Sequence, residues 1–354
     1  MTNRGVVSGT RVLGAIALSA VVMAGSAQAQ TPAQIEKIVQ DAHERFKNLQ
    51  EGKNADYIPA LATVDPNLFG IALVTVGGKV YTAGDIAKEV SIQSISKVFT
   101  MAMVMQEQGV DAIKNNMGVD ATGQAFNSIV AIEQYKGKEM NPLVNPGAIT
   151  ATSMIAGNSS DEIWNKIITS YSAYAGRQLS VLQDVYKSEA DTNQRNQAIG
   201  ALMFAYERIK TDWARAVDLY TRQCAVGVNA KDLATMAATL ANGGTNPVTG
   251  KQVLESKDVP EVLAVMATAG LYDDSGKWLY LTGLPAKSGV GGGIIAVSPG
   301  KFGIAVISPP LDEAGNSVRA QRAIAYISNM LGGNPYASTP ISAAAAARNG
   351  QRER

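Results

Sequence analysis

The spacing of apolar positions divides the chain into helical and strand-like stretches. Between residues 31 and 61, Ile35, Ile38, Val39, Ala42 and Phe46 recur at helical steps and Pro32 suits a first turn, so a helix is expected there. Residues 69–76 form an apolar run, Gly77-Gly78 a turn and residues 79–83 a second run, which predicts a β-hairpin. The helical period returns over 94–108, with Val98, Met101, Ala102 and Met105 on the apolar side. From 109 to 242 the chain reads as mostly helical with polar connectors. Its strongest stretches are 148–156, 160–174, 195–210, 212–223 and 230–241, the last stopped by Asn242-Gly243-Gly244. Strand-like runs follow at 289–297 and 302–307 around Ser298-Pro299-Gly300-Lys301, a second hairpin signal, and 316–331 reads as a closing helix.

Strands at both ends with helices between them predict an α/β (α+β) fold. Its antiparallel sheet would be flanked by the terminal helices, with a helical domain inserted. Residues 30–108 with 243–333 would build the sheet domain and 109–242 the helical one. The Ala-rich stretch 334–354 would be a disordered tail. Residues 1–29 carry a different signature. Arg4 and Arg11 give a basic start, residues 12–25 are apolar, and Ala27 and Ala29 take the small-x-small positions that a signal peptidase reads. The apolar run is short for a membrane span, so cleavage after Ala29 is expected. The mature protein is then periplasmic or secreted, without stable membrane association.

Composition narrows the chemistry. The chain has 354 residues, is 46% apolar and carries a formal net charge of +1. That balance supports a large core and leaves no basic footprint for nucleic acid. The only His is His43 and the only Cys is Cys224, which excludes an internal disulfide and a multi-His metal site. His43 lies on the first amphipathic helix, far in sequence from any nucleophile motif, so a Ser-His-Asp triad is excluded too. Cys224 has no nearby His to lower its pKa and reads as a buried small hydrophobe.

A nucleophile in this chain must therefore take Lys or Tyr as its base. Ser94-Ile95-Ser96-Lys97 offers a Ser-x-x-Lys, whose ends share one face of a helix. A poorly solvated Lys loses its charge more readily, and the neutral amine can take the Ser proton. Alone the motif is weak, because Ser and Lys are common. Two features strengthen it. Ser94 stands where a hairpin hands over to a helix, and the N–H groups of a helix start can help hold an oxyanion. Lys287-Ser288-Gly289 comes directly before Gly291-Gly292-Gly293 at the start of a late strand. The order Ser-x-x-Lys, then Lys-Ser/Thr-Gly, is that of serine acyl-transferases of the β-lactamase and penicillin-binding class. Asn141, Asn145, Asn193 and Asn196 fall in connectors or at helix starts, where capping and turn roles compete with substrate contact.

Several blocks in the same order resemble the serine-dependent glutaminase family. They are Gln93-Ser94-Ile95-Ser96-Lys97, Asn141-Pro142-Leu143-Val144-Asn145, Ser188-Glu189 followed by Arg195-Asn196, Ala237-Ala238-Thr239-Leu240-Ala241-Asn242-Gly243-Gly244, and Leu284-Pro285-Ala286-Lys287-Ser288-Gly289-Val290. Asp56-Tyr57-Ile58-Pro59 and Ser308-Pro309-Pro310-Leu311-Asp312 match as well, so the resemblance runs from residue 35 to 331. It implies a serine β-lactamase-like fold and hydrolysis of L-glutamine through a γ-glutamyl-Ser94 intermediate. Lys97 would be the general base, and Tyr272 would shuttle a proton to the leaving ammonia. Tyr57, Asn145, Glu189, Asn196 and Tyr220 would hold the amino-acid end of the substrate, and Gln93 and Tyr272 join the substrate-binding set. The Val290 backbone would complete an oxyanion hole with that of Ser94. No cofactor and no metal is implied, and a homodimer or homotetramer is.

The residue types suit that role. An acid such as Glu189 can pair with an α-ammonium, while Asn and Tyr can donate to an α-carboxylate. The chain departs from the family pattern at Pro146, where Ala is usual, and at Asn193-Gln194, where Gly-Asp is usual. Proline at 146 restricts Asn145 and removes a donor. Two other readings compete: a β-lactam or D-Ala-type serine hydrolase of the same fold, and a silent periplasmic amino-acid-binding module. Glu189 and Asn196 argue against the first, and retention of Ser94 with Lys97 against the second.

Overall fold

The computed structural model describes Met1 and residues 30–337. Its strands are β1 (Gly70–Thr75), β2 (Val80–Gly84), β3 (Val90–Ser91), β4 (Gly227–Val228), β5 (Ala286–Gly289), β6 (Gly293–Ser298) and β7 (Phe302–Ile307). Helices α1 (Pro32–Phe46), α2 (Pro59–Ala62) and α3 (Ser96–Gln108) come first. The middle segment holds α4 (Val110–Met117), α5 (Ile129–Tyr135), α6 (Asn145–Met154), α7 (Ser160–Ala175), α8 (Gln183–Asp191), α9 (Gln194–Ala205) and α10 (Trp213–Cys224). After it come α11 (Ala230–Ala241), α12 (Val259–Ala269), α13 (Ser275–Thr282) and α14 (Val318–Leu331). The leader expected at 1–29 lies, Met1 apart, outside the described residues, as does the chain beyond 337.

One antiparallel sheet runs β2-β1-β7-β6-β5, and β3 and β4 pair separately. Strands β6 and β7 are buried throughout and β1 nearly so, because helices cover both faces. That is why these strands read as continuous apolar runs. Their side chains still part with period two. Ile71, Leu73, Ile294, Ile304 and Val306 share a core with Val39 of α1 and Ala323 and Ile324 of α14. Ala72, Val74, Ile295, Val297, Ala305 and Ile307 enter the opposite core with α3, α7 and α11. A third core, with Ile149, Ile199, Met203 and Val217, holds α6, α9 and α10 together.

Several elements differ from the sequence-based expectation. The helix over 31–61 ends at Phe46, and only Pro59–Ala62 is helical again. Gly52, with φ of +85°, breaks the pattern between them. The run 289–297 is two strands rather than one, because Gly292 turns the chain between β5 and β6 with φ of +92°. Helices α4, α5 and α8 fall within the stretch that reads as mostly helical, whereas α12 and α13 are not expected from the sequence. Helix α11, counted with the helical segment in the sequence, lies on the sheet instead. Its small residues make this possible, and so does Gly303 of β7: a Cβ there would stand 2.0 Å from the Ala238 nitrogen.

Arg319 of α14 is 1% exposed. Its Nε donates to Ser308 Oγ at 2.7 Å, and its Nη atoms donate to the carbonyls of Lys47, Pro66, Asn67 and Leu68. Burial lowers its pKa, and the Phe69 ring lies 5.4 Å from its Cζ. One guanidinium thus ties the loop after α1, the entry to β1 and the exit of β7 to the last helix. Arg319→Ala leaves these acceptors without a donor and opens a hole. It is expected to lower the unfolding free energy by about 2–4 kcal/mol, read as a lower urea midpoint.

Candidate active site

The site begins with a backbone irregularity. Strand β3 pairs with β4, and Ile92 N donates to Val226 O at 2.8 Å. Gln93 then turns left-handed, with φ of +49°. That conformation costs a non-glycine residue about 1–3 kcal/mol and is typical of functional sites. Residues Gln93–Ile95 form one 3-10 turn that runs directly into α3. Ser94 therefore stands at the mouth of a helix, and Lys97 returns one turn later on the same face. Lys97 Nζ donates to Ser94 Oγ at 2.9 Å. Strand β5 passes close by: a Cβ on Gly289 would lie 2.9 Å from Ile92 O and 3.3 Å from Ser94 N. Only glycine lets that strand touch the turn that carries Ser94.

Lys97 is 1% exposed. Burial lowers its pKa to about 8, against a smaller raising effect of Cys224 and Glu189. Its second contact is Asn145 Oδ1, at 2.7 Å, which also accepts from the Tyr220 hydroxyl at 3.2 Å. Asn145 Nδ2 donates in turn to Asn196 Oδ1 at 2.9 Å. The rings of Phe126, Tyr220 and Tyr272 stand 6.0, 5.7 and 6.0 Å from the amine. Glu189 is the buried carboxyl that lines the cavity. Desolvation raises its carboxyl to about 7, opposed by the Gln93 amide, which donates to Oε2 at 3.1 Å, and by Lys97. Gln93 also donates to Ser91 Oγ at 3.2 Å.

A cavity of ≈ 90 Å³ opens at Ser94. Tyr57, Gln93, Asn145, Glu189, Asn196, Tyr220 and Val290, all expected from the sequence, line it. Tyr57 sits at the rim, 53% exposed. Lys97 and Tyr272 stand behind that lining. The Tyr272 phenol faces the Ser94 and Ser288 hydroxyls without a close hydrogen bond to either, and burial pushes it up to about 12 against a smaller lowering by those two hydroxyls. Phe126, Asn127, Thr192 and Arg195 also line the cavity and were not foreseen. Phe126 packs on Tyr272, ring centroids 4.7 Å apart, and its carbonyl accepts from Asn145 N at 2.8 Å. It comes from a connector without periodicity, so only the fold reveals it. Arg195 lies in the block quoted above, and its Nε donates to Asn127 O at 3.0 Å.

The unusual residues fit their places. Pro146 falls in the first turn of α6, where a backbone N–H has no partner within the helix, so the lost donor costs nothing there. Asn193 caps α9 by position and lines the cavity; its amide is held by Thr221 and Gln197 at 3.3 and 2.6 Å. Gln194 points to Asp191 O on the surface. Asn141 keeps a turn role, accepting from Leu143 N and donating to Asp120 O. His43 stacks on Phe69 at 4.9 Å. Cys224 is buried, and burial raises its thiol pKa strongly. Among the described residues there is no group of three His, Cys, Asp or Glu that could hold a metal ion.

A family model for glutaminase matches residues 52–336. A glutaminase of Colwellia psychrerythraea is 54% identical over 310 residues, covering 87% of this chain and 100% of that protein. A glutaminase of Mycobacterium ulcerans is 52% identical over 299 residues, with 84% and 93% covered. Among solved structures, a probable glutaminase superposes with a TM-score of 0.86 at 45% identity, over 87% of this chain and 100% of its own. A probable glutaminase from Bacillus subtilis, complexed with 6-diazo-5-oxo-L-norleucine, gives 0.77 at 27% identity, over 85% and 96%. These structures share the serine β-lactamase-like arrangement of sheet and helices. The chain belongs to the glutaminase family.

Proposed function

We propose that this protein hydrolyses L-glutamine to L-glutamate and ammonia through a covalent γ-glutamyl ester on Ser94. The observation that carries the reading is the buried Lys97–Ser94 pair at 2.9 Å, with the amine lowered to about 8. A neutral Lys97 takes the Ser94 proton, and Oγ attacks the side-chain amide carbon. The N–H groups of Ser94 and Val290 receive the developing oxyanion. Tyr272 passes a proton to the leaving nitrogen, which departs as ammonia. Water then attacks the ester and Ser94 Oγ is restored. Glu189 pairs with the α-ammonium, while Asn196, Tyr220 and Tyr57 address the α-carboxylate. The Bacillus subtilis relative supports this reading: its ligand has the amino-acid end of glutamine and a reactive ketone where the amide stands.

The proposal extends to location and assembly. The basic and apolar pattern of residues 1–29 supports export with a mature N-terminus at Gln30, which the mass of the extracytoplasmic protein checks. Family resemblance supports a homodimer or homotetramer, and exposed Tyr280 and Leu281 on α13 offer apolar surface for it. Sedimentation reads the assembly directly.

Ser94→Ala is expected to cut ammonia release from L-glutamine roughly a thousand-fold or more with unchanged thermal unfolding. Turnover that survives this change sinks the mechanism. Glu189→Gln keeps the shape but removes the charge, and is expected to raise KM about ten-fold or more while kcat changes less. The pH profile follows from two groups. Glu189 binds the ammonium only when ionised, which favours pH above about 7. Lys97 accepts a proton only when neutral, which favours pH above about 8. Both conditions improve as pH rises, so kcat/KM is expected to climb between about pH 6 and 9 as one coupled titration. A fall across the same range contradicts the assignment.

A further inference from the structure

Lys287 has no part in the reaction above, yet it lies inside the site. It is 0% exposed. Its Nζ donates to Ser288 O at 2.7 Å and stands 4.1 Å from the centroid of the Tyr272 ring. Among the described residues no carboxylate pairs with it. Burial first, and then the charge of Lys97, push its amine well below the ordinary lysine value. A buried amine without an acid destabilises a fold, and a methionine of the same length would fill the space without that cost. The chain keeps a group here that packing alone would not select.

The second observation concerns Tyr272 itself. Its backbone is left-handed, with φ of +56°, which a bulky side chain seldom adopts. Its phenol oxygen is buried without a hydrogen-bond partner among the described residues, and so is Ser288 Oγ. No close hydrogen bond of its own therefore fixes the ring at Ser94. What touches the ring is apolar or amine: Phe126, and Lys287 over its face. An N–H directed at the negative face of a ring attracts whether the amine is charged or neutral. The contact thus survives loss of the amine proton.

We propose that Lys287 is a positioning residue for the proton relay: its N–H groups hold the Tyr272 ring so that the phenol stays at Ser94. This rests on the reading of Tyr272 as the group that protonates the leaving nitrogen.

The test is a double-mutant cycle of Lys287→Met and Tyr272→Phe, with ammonia release from L-glutamine and thermal unfolding measured for each variant. Lys287→Met is expected to unfold at the same or a higher temperature. It is expected to lose about ten-fold or more in kcat with KM within about two-fold of the starting value. Added to Tyr272→Phe, it is expected to cost no more than about two-fold further, because both changes remove one function. Full kcat in Lys287→Met overturns the proposal. So do costs that multiply in the double variant, and so does a lower unfolding temperature, which would make Lys287 a structural prop. Tyr272→Phe alone judges the reading beneath. If it keeps full kcat, the relay assignment falls; if it loses kcat while the costs multiply, only the role of Lys287 falls.

Discussion

The site depends on keeping one amine dry beside one hydroxyl. In water the Lys97 amine would stay charged and could not serve Ser94. Its burial is assembled from distant parts of the chain: the 3-10 turn supplies Ser94, α6 supplies Asn145, α10 supplies Tyr220, and β5 closes the side through Gly289. The same dryness acts on Glu189 in the opposite sense. Desolvation lowers the lysine and raises the acid, so both charges become marginal near neutral pH. A pocket in that condition responds to its contents. An entering ammonium favours the ionised form of Glu189 and restores the charge that burial had made costly.

Elements distant in the chain meet at the site. Ser94 stands on the 3-10 turn that packs against β5 and β6, and Val290 follows β5, whereas Lys97 lies on α3, which packs on α4, α6, α7 and α12. Asn145, Glu189, Asn196 and Tyr220 come from the helical segment. Lys97 bonds Asn145 across the contact between α3 and α6, and Asn145 Nδ2 donates on to Asn196 Oδ1.

Much of this was legible in the sequence, for local reasons. The first hairpin declared itself through its apolar runs and Gly77-Gly78, and α11 through its period and its Asn-Gly-Gly stop. The dyad was legible because a helical spacing of three makes two side chains meet whatever the rest of the fold does. Most of the substrate-facing set followed from the ordered family blocks. What stayed hidden was non-local. Phe126 reaches the cavity from an irregular connector, and nothing in its neighbours marks it. Tyr272 and Lys287 are far enough apart in sequence that no period relates them, yet they touch. The turn between β5 and β6 was hidden too, because its glycines sit inside an otherwise apolar run.

The pairing of β1 with β7 has a consequence for how the chain acquires its shape. Thr75 lies opposite Phe302, so the centre of the sheet joins residues separated by most of the protein. Arg319 adds contacts to Pro66 and Leu68 across a still longer span. Loop closure on that scale is slow, and it cannot begin on a chain still being synthesised until the last strand has emerged. The nascent chain must remain without its central sheet until residues 302–307 are made. A topology of this kind leaves time for the chain to be handled in an extended form, and it joins residues 70–75 to 302–307 at one late step.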